Sequence, residues 1–315
     1  MAYLILIIGF VLLIKGADFF VDGASALSKK FGIPSVIIGL TVVAFGTSLP
    51  EAAVSITASL NGSNGISIGN VVGSNIFNLL VVAGASAIFS PVKVDKNIMS
   101  KDFPYSIIAA LVLMFLSFNV FTNPTGDFVL SQADGIVLLL YFSVFMYYTT
   151  KTALASSVAE SNSNEKPLPL WLQLIYIGAG IAAICYGGNL VVDSATIIAA
   201  QFGLSEGLIG LTIAAVGTSL PELVTSIVAA KKGENDIAMG NVIGSNIFNI
   251  VFIMGVASLI KPIPVELYSL YDMIVLSVAS LAIYLRALKG RVIDRKFGIL
   301  MVVSYFVYLV YIVGR

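Results

Sequence analysis

Long apolar runs separated by short polar breaks are the dominant pattern along this chain of 315 residues. A helix needs about 20 apolar residues to cross the hydrocarbon core of a bilayer. Runs of about that length predict ten membrane-spanning helices. Their approximate limits are 3–26, 34–60, 67–90, 103–121, 129–149, 170–194, 205–230, 237–260, 268–287 and 297–313. The first run has no basic leading region and no small-residue cleavage site, so it is interpreted as a retained span.

The composition agrees with a membrane protein and excludes several other classes. Hydrophobic residues make up 58% of the chain and charged residues 11%, and the mean hydropathy is +1.00. The 17 basic and 17 acidic residues cancel, which argues against a nucleic-acid partner held by a positive field. The chain has no histidine and one cysteine. A disulfide within the chain is therefore excluded, and the usual zinc ligand and general base are missing.

A polar segment and the distribution of basic residues organise the spans. Residues 151–169, rich in Ser, Asn, Glu and Pro, are predicted to form a cytoplasmic linker between halves 1–150 and 170–315. Fourteen of the 17 Lys and Arg residues lie in the odd-numbered connectors between spans. Because basic connectors remain in the cytoplasm, this bias predicts a multi-pass cell-membrane protein with both termini outside.

An internal repeat is the strongest signal in the sequence. The segment 31–78 returns at 202–249 without a gap, at an offset of 171, with 28 of 48 positions identical. The copies include GTSLPE twice, and GNVVGSNIFN followed by GNVIGSNIFN. Five spans per half is an odd number, so the two copies are predicted to have opposite orientations in the membrane. Inverted repeats of this kind are typical of secondary transporters, whose substrate site lies near the midplane.

Each copy places a glutamate, Glu51 or Glu222, inside an apolar span. An ionisable group at that depth is costly and usually marks an ion pathway. A buried Lys or Arg would be the structural alternative, but the second, third, seventh and eighth spans contain no basic residue. The sequence therefore predicts a bound cation as the partner of these carboxylates.

The residues around the glutamates add oxygen ligands. Thr47 and Thr218 lie four residues before the glutamates and so share a helix face with them. Pro50 and Pro221 each remove an amide and clash with a carbonyl one turn earlier. A broken helix is therefore expected in each half, with carbonyls freed over residues 44–47 and 215–218.

The third and eighth spans repeat a second polar pattern. Ser74 and Asn78 lie four residues apart on one face, as do Ser245 and Asn249. Two glycine pairs, with spacing that favours close helix packing, and four further asparagines accompany them. The asparagines are equally well explained as inter-helix hydrogen bonds or as ligands. These residues are Gly69, Gly73, Gly240 and Gly244, with Asn70, Asn75, Asn241 and Asn246.

A site built from carboxylates, hydroxyls, amides and carbonyls favours hard cations. Ca²⁺ takes six to eight oxygen ligands, whereas soft transition metals prefer the His and Cys that are missing here. Two glutamates carry −2, which one Ca²⁺ neutralises, and which several Na⁺ or two protons neutralise equally. One site occupied in turn by these ions is what an exchanger requires. No cofactor and no obligate protein partner are expected.

The doubled GTSLPE and GNxxGSNIFN motifs resemble those of the cation/calcium exchanger superfamily, in its Na⁺/Ca²⁺ exchanger branch. The resemblance implies an all-α fold of ten helices in two inverted five-helix repeats, with the second, third, seventh and eighth helices as the core. It also implies that the long, weakly packed first and sixth helices slide past this core to switch access. The ion ligands that it implies are Glu51, Glu222, Thr47, Thr218, Ser48, Ser219, Ser74, Ser245, Asn78, Asn249 and the backbone carbonyls of Ala44 and Ala215.

One departure from the family pattern bears on ion selectivity. Some relatives, typically the K⁺-dependent ones, carry Asp where this chain has Asn249. With Asn at this position in both halves, the set of ion ligands contains two acids, Glu51 and Glu222. We therefore expect no K⁺ co-transport.

Three other functions compete with Na⁺-driven Ca²⁺ exchange as explanations of these motifs. A proton-coupled exchanger using the same glutamates is the main alternative. An intramembrane hydrolase is disfavoured by the missing His and by the duplication, so no enzymatic activity is expected. A channel is disfavoured by the two opposed halves.

Overall fold

The computed structural model describes residues 1–118, 128–156, 169–203 and 215–314. Helices dominate it, and four two-residue strands lie between them. In chain order the elements are α1 (Ala2–Phe31), α2 (Ser35–Thr47), α3 (Leu49–Leu60), α4 (Gly65–Phe89), β1 (Val92–Lys93), α5 (Ile98–Phe118), β2 (Val129–Leu130), α6 (Gln132–Ser156), α7 (Leu170–Gln201), α8 (Ala215–Gly217), α9 (Leu220–Lys231), α10 (Asn235–Ile260), β3 (Ile263–Pro264), α11 (Leu267–Leu288), β4 (Val292–Ile293) and α12 (Arg295–Gly314).

The expectation of an all-helical membrane protein is confirmed. Within the described residues, eight helices are long and apolar enough to cross a membrane, and α2 with α3 forms a ninth candidate, bent by 51°. The predicted seventh span ends in α8 and α9, but residues 205–214 at its start lie outside the described residues. Most of the predicted linker, residues 157–168, lies outside them as well.

The bend between α2 and α3 has a local cause in the sequence. Ser48 leaves the helical conformation with φ −85° and ψ 9°, and Pro50 follows in the first turn of α3. Proline is tolerated there because a first-turn amide has no acceptor in its own helix. Ser219, with φ −91° and ψ 5°, and Pro221 repeat this arrangement before α9. The predicted break after the repeated Gly-Thr motif is therefore present in both halves.

The centre of the molecule is formed by α4 and α10. In the most apolar stretch of each, 78% of the residues are buried, against 33% in α1 and 22% in α12. Close packing at glycine brings α10 against α2, since a Cβ on Gly240 would lie 2.9 Å from the Cα of Gly39. Gly244 meets the carbonyl of Leu40 in the same way, at 2.6 Å. Around Gly69, by contrast, no described atom lies within 4 Å of such a Cβ.

The two longest helices, α1 and α7, pack along each other on small residues. A Cβ on Gly9 would lie 3.0 Å from the carbonyl of Gly187, and one on Gly16 would lie 3.0 Å from the carbonyl of Gly180. About a third of the most apolar stretch of each helix is buried. The weak packing that the resemblance implies therefore does not extend to the seam between α1 and α7, which is tight.

The connectors gather at two opposite ends of the helix bundle. Strand β1, after α4, pairs antiparallel with β4, between α11 and α12. Strand β3, after α10, pairs antiparallel with β2, between α5 and α6. At the β1–β4 end, the Lys231 ammonium lies 4.4 Å from the ring centre of Phe89. The third, seventh and ninth connectors therefore meet at one end, and the fourth and eighth at the other.

Candidate ion-binding site

Glu51 and Glu222 lie at the centre of the bundle, and each is fully buried. The Ser48 hydroxyl donates a hydrogen bond of 2.8 Å to Oε1 of Glu222. The Ser219 hydroxyl donates one of 2.9 Å to Oε1 of Glu51. Each carboxylate is therefore held by the serine of the other repeat copy, and the two helix breaks face each other.

The helix breaks also provide a favourable field for these carboxylates. Glu51 lies in the first turn of α3, and Glu222 lies in the first turn of α9. Unpaired amides and the helix dipole make a helix N-terminus partly positive, which stabilises a negative charge by about 0.3–1 kcal/mol, and by up to about 2 kcal/mol when partly buried. This contribution is small beside the cost of burying two charges, so most of their charge remains to be balanced.

Basic side chains do not provide that balance in the described part of the chain. The ion pairs there join Lys15, Lys232 and Arg286 to other acids, and none of them includes Glu51 or Glu222. Lys232 lies 2.7 Å from Asp22 and 3.4 Å from Asp18, both on α1 and both partly exposed. These aspartates thus belong to a peripheral ion pair rather than to the glutamate site.

Several buried polar atoms of the glutamates and of α4 and α10 have no hydrogen-bond partner among the described residues. They are buried side-chain atoms, and the large majority of such atoms in proteins have a hydrogen-bond partner. The carboxylates leave their second oxygens unpaired, and four polar atoms of α4 and α10 do the same. The atoms are Glu51 Oε2, Glu222 Oε2, Ser74 Oγ, Asn78 Oδ1, Asn78 Nδ2 and Asn249 Oδ1.

Two asparagines that the sequence left ambiguous form bonds between the halves. The Thr47 hydroxyl donates to Oδ1 of Asn241 at 3.0 Å, and Thr218 donates to Oδ1 of Asn70 at 3.4 Å. The Asn70 amide donates at 3.3 Å to the backbone carbonyl of Glu51. Asn70 and Asn241 therefore act as inter-helix connectors, and each predicted threonine ligand already donates its proton to one of them.

A reciprocal asparagine pair joins α4 to α10. The side-chain amide of Asn75 donates to the backbone carbonyl of Asn246 at 3.2 Å, and the side-chain amide of Asn246 donates to the backbone carbonyl of Asn75 at 3.4 Å. Oδ1 of Asn75 also accepts a bond of 3.2 Å from the Asn249 amide, which leaves Oδ1 of Asn249 as its unpaired atom. Asn75 therefore orients one of the predicted ligands, whereas Asn78 has no such brace among the described residues.

Asn78 and Asn249 lie at a local change in helix geometry. The helix widens into a π-helical turn at Asn78–Val82 in α4 and at Phe248–Ile253 in α10. Such turns are rare and occur frequently at functional sites, because they redirect side chains out of the regular helical register. Hydrophobic periodicity along the sequence gives no sign of these turns.

The backbone carbonyls before the helix breaks agree only in part with the prediction that they are free. The Ala44 carbonyl was expected to be free, but it accepts bonds from the Ser48 amide at 3.0 Å and from the Ser245 hydroxyl at 3.4 Å. The reason is that the helix continues regularly to Thr47, so that the break falls one turn later. Ala215 begins α8 in the corresponding position.

Ser245 links this carbonyl to the site, since its hydroxyl also lies 3.5 Å from Oε1 of Glu222. Two further serines, which the sequence patterns above do not single out, support the asparagines: Ser55 accepts a bond of 2.9 Å from Asn70, and Ser226 accepts one of 2.9 Å from Asn241. Both are identical between the repeat copies, a signal that could have identified them.

The arrangement suits a hard cation, which prefers oxygen ligands. Among the described residues, no cluster of three or more His, Cys, Asp or Glu side chains could hold a metal ion. The candidate donors are instead carboxylate, hydroxyl and amide oxygens, a set suited to Ca²⁺ or Na⁺ rather than to a transition metal.

Comparison with known proteins decides the family. Residues 1–151 and 172–314 match the family model described as "Sodium/calcium exchanger protein". The chain belongs to the sodium/calcium exchanger family. It is 38% identical to the putative antiporter CaxA of Alkalimonas amylolytica, over 98% of this chain and 97% of that protein. It is 35% identical to the sodium/calcium exchanger MaX1 of Methanosarcina acetivorans, with 98% and 97% covered.

A solved structure of the sodium-calcium exchanger NCX_Mj has the same fold as this family member. The two superimpose with a TM-score of 0.84 at 35% identity, over 99% of this chain and 98% of that one. The predicted resemblance to the Na⁺/Ca²⁺ exchanger branch is therefore confirmed, and the protein is a multi-pass member of a transporter family.

Proposed function

We propose that this exchanger-family protein moves Ca²⁺ across the cell membrane in exchange for Na⁺, at one site between its two repeat copies. The observation that carries this proposal is the crossed pair of hydrogen bonds from Ser48 to Glu222 and from Ser219 to Glu51. It brings two buried carboxylates to one place and leaves an oxygen of each unpaired. The remaining predicted ligands complete the proposed ion site.

Charge neutralisation explains the exchange. A site with −2 charge at the membrane centre is costly to move empty, because the surroundings have a low dielectric constant. One Ca²⁺, or Na⁺ ions in its place, removes that charge and lowers the barrier to switching access. The loaded site therefore changes access more readily than the empty one, which couples the two ions without a cofactor or an enzymatic step.

Sliding of α1 and α7 past the core is the proposed route of alternating access. Their mutual seam is tight, so they would move as a pair. Their contact with the core is made partly by small residues: a Cβ on Gly46 would lie 2.9 Å from Ile181, and Gly188 faces Pro221. The glycines at these contacts leave little side chain in the way, which favours such a movement.

The proposed architecture is that of two inverted five-helix repeats, 1–150 and 170–315, joined by a cytoplasmic linker at 151–169. The pairing of the short strands supports this inversion, because each half of the chain contributes one strand to each pair. The segment after α4 pairs with the connector before α12, and at the opposite end the segment after α10 pairs with the connector before α6. Since the β1–β4 end carries the basic connectors, we assign it to the cytoplasm, with both termini outside.

Uptake of ⁴⁵Ca²⁺ into proteoliposomes tests the proposal. An outward Na⁺ gradient is compared with an outward proton gradient and with no gradient, and protein-free liposomes serve as the control. We expect stimulation by the Na⁺ gradient. Stimulation by the proton gradient alone would replace this proposal with a proton-coupled exchanger using the same two glutamates.

A further inference from the structure

An apolar groove opens on the side of the bundle between α11 and α12. Its volume is about 380 Å³, within the range of small-molecule sites in proteins. The side chains along it include Val275, Val278, Ala279, Leu300, Ser304 and Tyr308. We call this feature the α11–α12 groove.

The groove is open to the surroundings of the bundle and has a buried floor. Val278 and Leu300 are 61% and 57% exposed, whereas Met301 and Tyr308 at its base are almost fully buried. Both helices are candidate membrane spans. In a bilayer, the material that reaches such a lateral opening is lipid hydrocarbon rather than water.

In the first half of the protein, side chains fill the position that corresponds to the groove. In α5 and α6 the rings of Tyr105 and Tyr141 stack with their centres 4.2 Å apart. Tyr141 lies eleven residues after β2, and Ser304 lies eleven residues after β4. Val275 follows a buried aspartate by three residues, as Tyr105 does. The groove therefore exists because a serine and a valine stand where the first half has two tyrosines.

Basic residues surround one end of the groove. The segment 286–296 contains five Lys or Arg residues and one acid, Asp294. The Arg286 guanidinium carbon lies 5.3 Å from the ring centre of Phe297, a groove residue, so this segment adjoins the opening. Lys289 and Lys296 are exposed, and neither takes part in the ion pairs of the described residues.

We propose that the α11–α12 groove binds one acyl chain of an anionic phospholipid, whose phosphate lies against the basic segment 286–296. An apolar slot that ends in a positive cluster matches the two parts of such a lipid. Basic clusters next to membrane spans attract anionic headgroups by about 1 kcal/mol per Lys or Arg, which is roughly a fivefold change in affinity for each. The opening and the charge together distinguish this place from the rest of the lipid-facing surface.

Native mass spectrometry of the purified full-length protein in detergent tests both parts of the site. Dioleoyl-phosphatidylglycerol and dioleoyl-phosphatidylcholine are titrated separately, so the two lipids share their chains and differ in headgroup charge. We expect phosphatidylglycerol to bind at least about tenfold more tightly, from the basic side chains near the phosphate. Equal binding of the two lipids would overturn the proposal.

Two variants separate the chain from the headgroup. Ser304→Tyr fills the groove and is expected to weaken binding of both lipids at least tenfold, whereas Val307→Tyr, on an exposed position of the same helix, leaves binding unchanged. The double variant Lys289→Gln with Lys296→Gln is expected to weaken only phosphatidylglycerol, by about 25-fold. Arg291 is left intact because its φ of 54° lies in the left-handed region.

Lys30→Gln with Lys151→Gln is the matched charge control, since both lysines are exposed and lie in other odd-numbered connectors. Unchanged phosphatidylglycerol binding is expected for it. An equal loss in both double variants would show a general effect of net charge and overturn the headgroup site. Should Ser304→Tyr fail to fold, the surface lysine pair still decides the matter.

Discussion

Ser48 donates a hydrogen bond of 2.8 Å to Glu222, a residue 174 positions further along the chain. The equivalent bond from Ser219 to Glu51 is 2.9 Å long. In each repeat copy, the glutamate accepts its hydrogen bond from the serine of the other copy. The proposed ion site is therefore a property of the assembled halves and exists in neither alone.

Removal of either carboxylate charge is expected to abolish exchange. Glu51→Gln or Glu222→Gln leaves a single negative charge, which one Ca²⁺ overcompensates, so the loaded site would carry a net charge through the membrane. We expect ⁴⁵Ca²⁺ uptake in proteoliposomes to fall to the level of protein-free liposomes. Glu266→Gln, at an exposed position, is the control and should transport normally. Near wild-type uptake by either site variant would contradict the assignment.

Loss of a crossed serine should weaken the site without destroying it. A hydrogen bond to a charged group contributes about 1.5–3 kcal/mol, so Ser48→Ala and Ser219→Ala should each reduce apparent Ca²⁺ affinity by about tenfold or more. The half-maximal Ca²⁺ concentration for uptake measures this effect. Ser277→Ala is a suitable control because its hydroxyl bonds the Met273 carbonyl of its own helix at 2.8 Å, away from both glutamates in the sequence. Unequal losses would count against an equal role of the two serines.

Asn75→Ala is expected to reduce both stability and transport. It deletes the bond to the Asn246 carbonyl and the brace on Asn249. Inter-helix hydrogen bonds in membranes contribute about 0.6–2 kcal/mol each, so the loss of two should lower the free energy of unfolding by about 1–4 kcal/mol. Thermal unfolding in detergent and ⁴⁵Ca²⁺ uptake give the two readouts. Asn97→Ala, at an exposed position, should change neither. Unchanged uptake by Asn75→Ala would exclude a positioning role for Asn75.

Transport is expected to be independent of K⁺. Asn249 holds no charge, and its amide is already bonded to Asn75, so the two glutamates remain the acids of the proposed ring. Na⁺-driven ⁴⁵Ca²⁺ uptake should be equal when K⁺ on both sides is replaced by choline. An absolute requirement for K⁺ would disprove this expectation.

Opposite labelling of two connectors would test the proposed orientation. In a Cys185→Ser background, Lys30→Cys lies in the first connector and Asn61→Cys in the second, and both positions are exposed. A membrane-impermeant maleimide applied to intact cells should label the cysteine at 61 and leave the one at 30 unlabelled until the cells are permeabilised. The reverse pattern would place both termini in the cytoplasm.

Much of the fold could be predicted because its signals are local. A bilayer requires long apolar segments, so the membrane class and the approximate limits of the described spans follow from run length alone. The break at Ser48 follows from Pro50, since proline removes one backbone bond and restricts the turn before it. The repeat identified Glu51 and Glu222 as a pair, because unneutralised carboxylates in two equivalent apolar spans have few structural explanations.

Other features depend on contacts between distant segments. The positions of Ser48 and Ser219 in the sequence do not indicate that each serine bonds the glutamate of the other copy. These hydrogen bonds form only when the two helix breaks face each other. The same holds for Asn70 and Asn241, which could equally have been ligands until their threonine partners were known.

By itself, the sequence determined the membrane class, the duplication, the helix breaks and the identity of the two acids. These follow from short-range physics: the length of apolar runs, the geometry of proline and the cost of buried charge. The tertiary structure decided which hydroxyl serves which carboxylate, that Asn75 orients Asn249, and that the second half has an open groove where the first has stacked tyrosines. Each of these depends on how helices far apart in the chain cross one another, and that crossing is set by packing across the whole bundle.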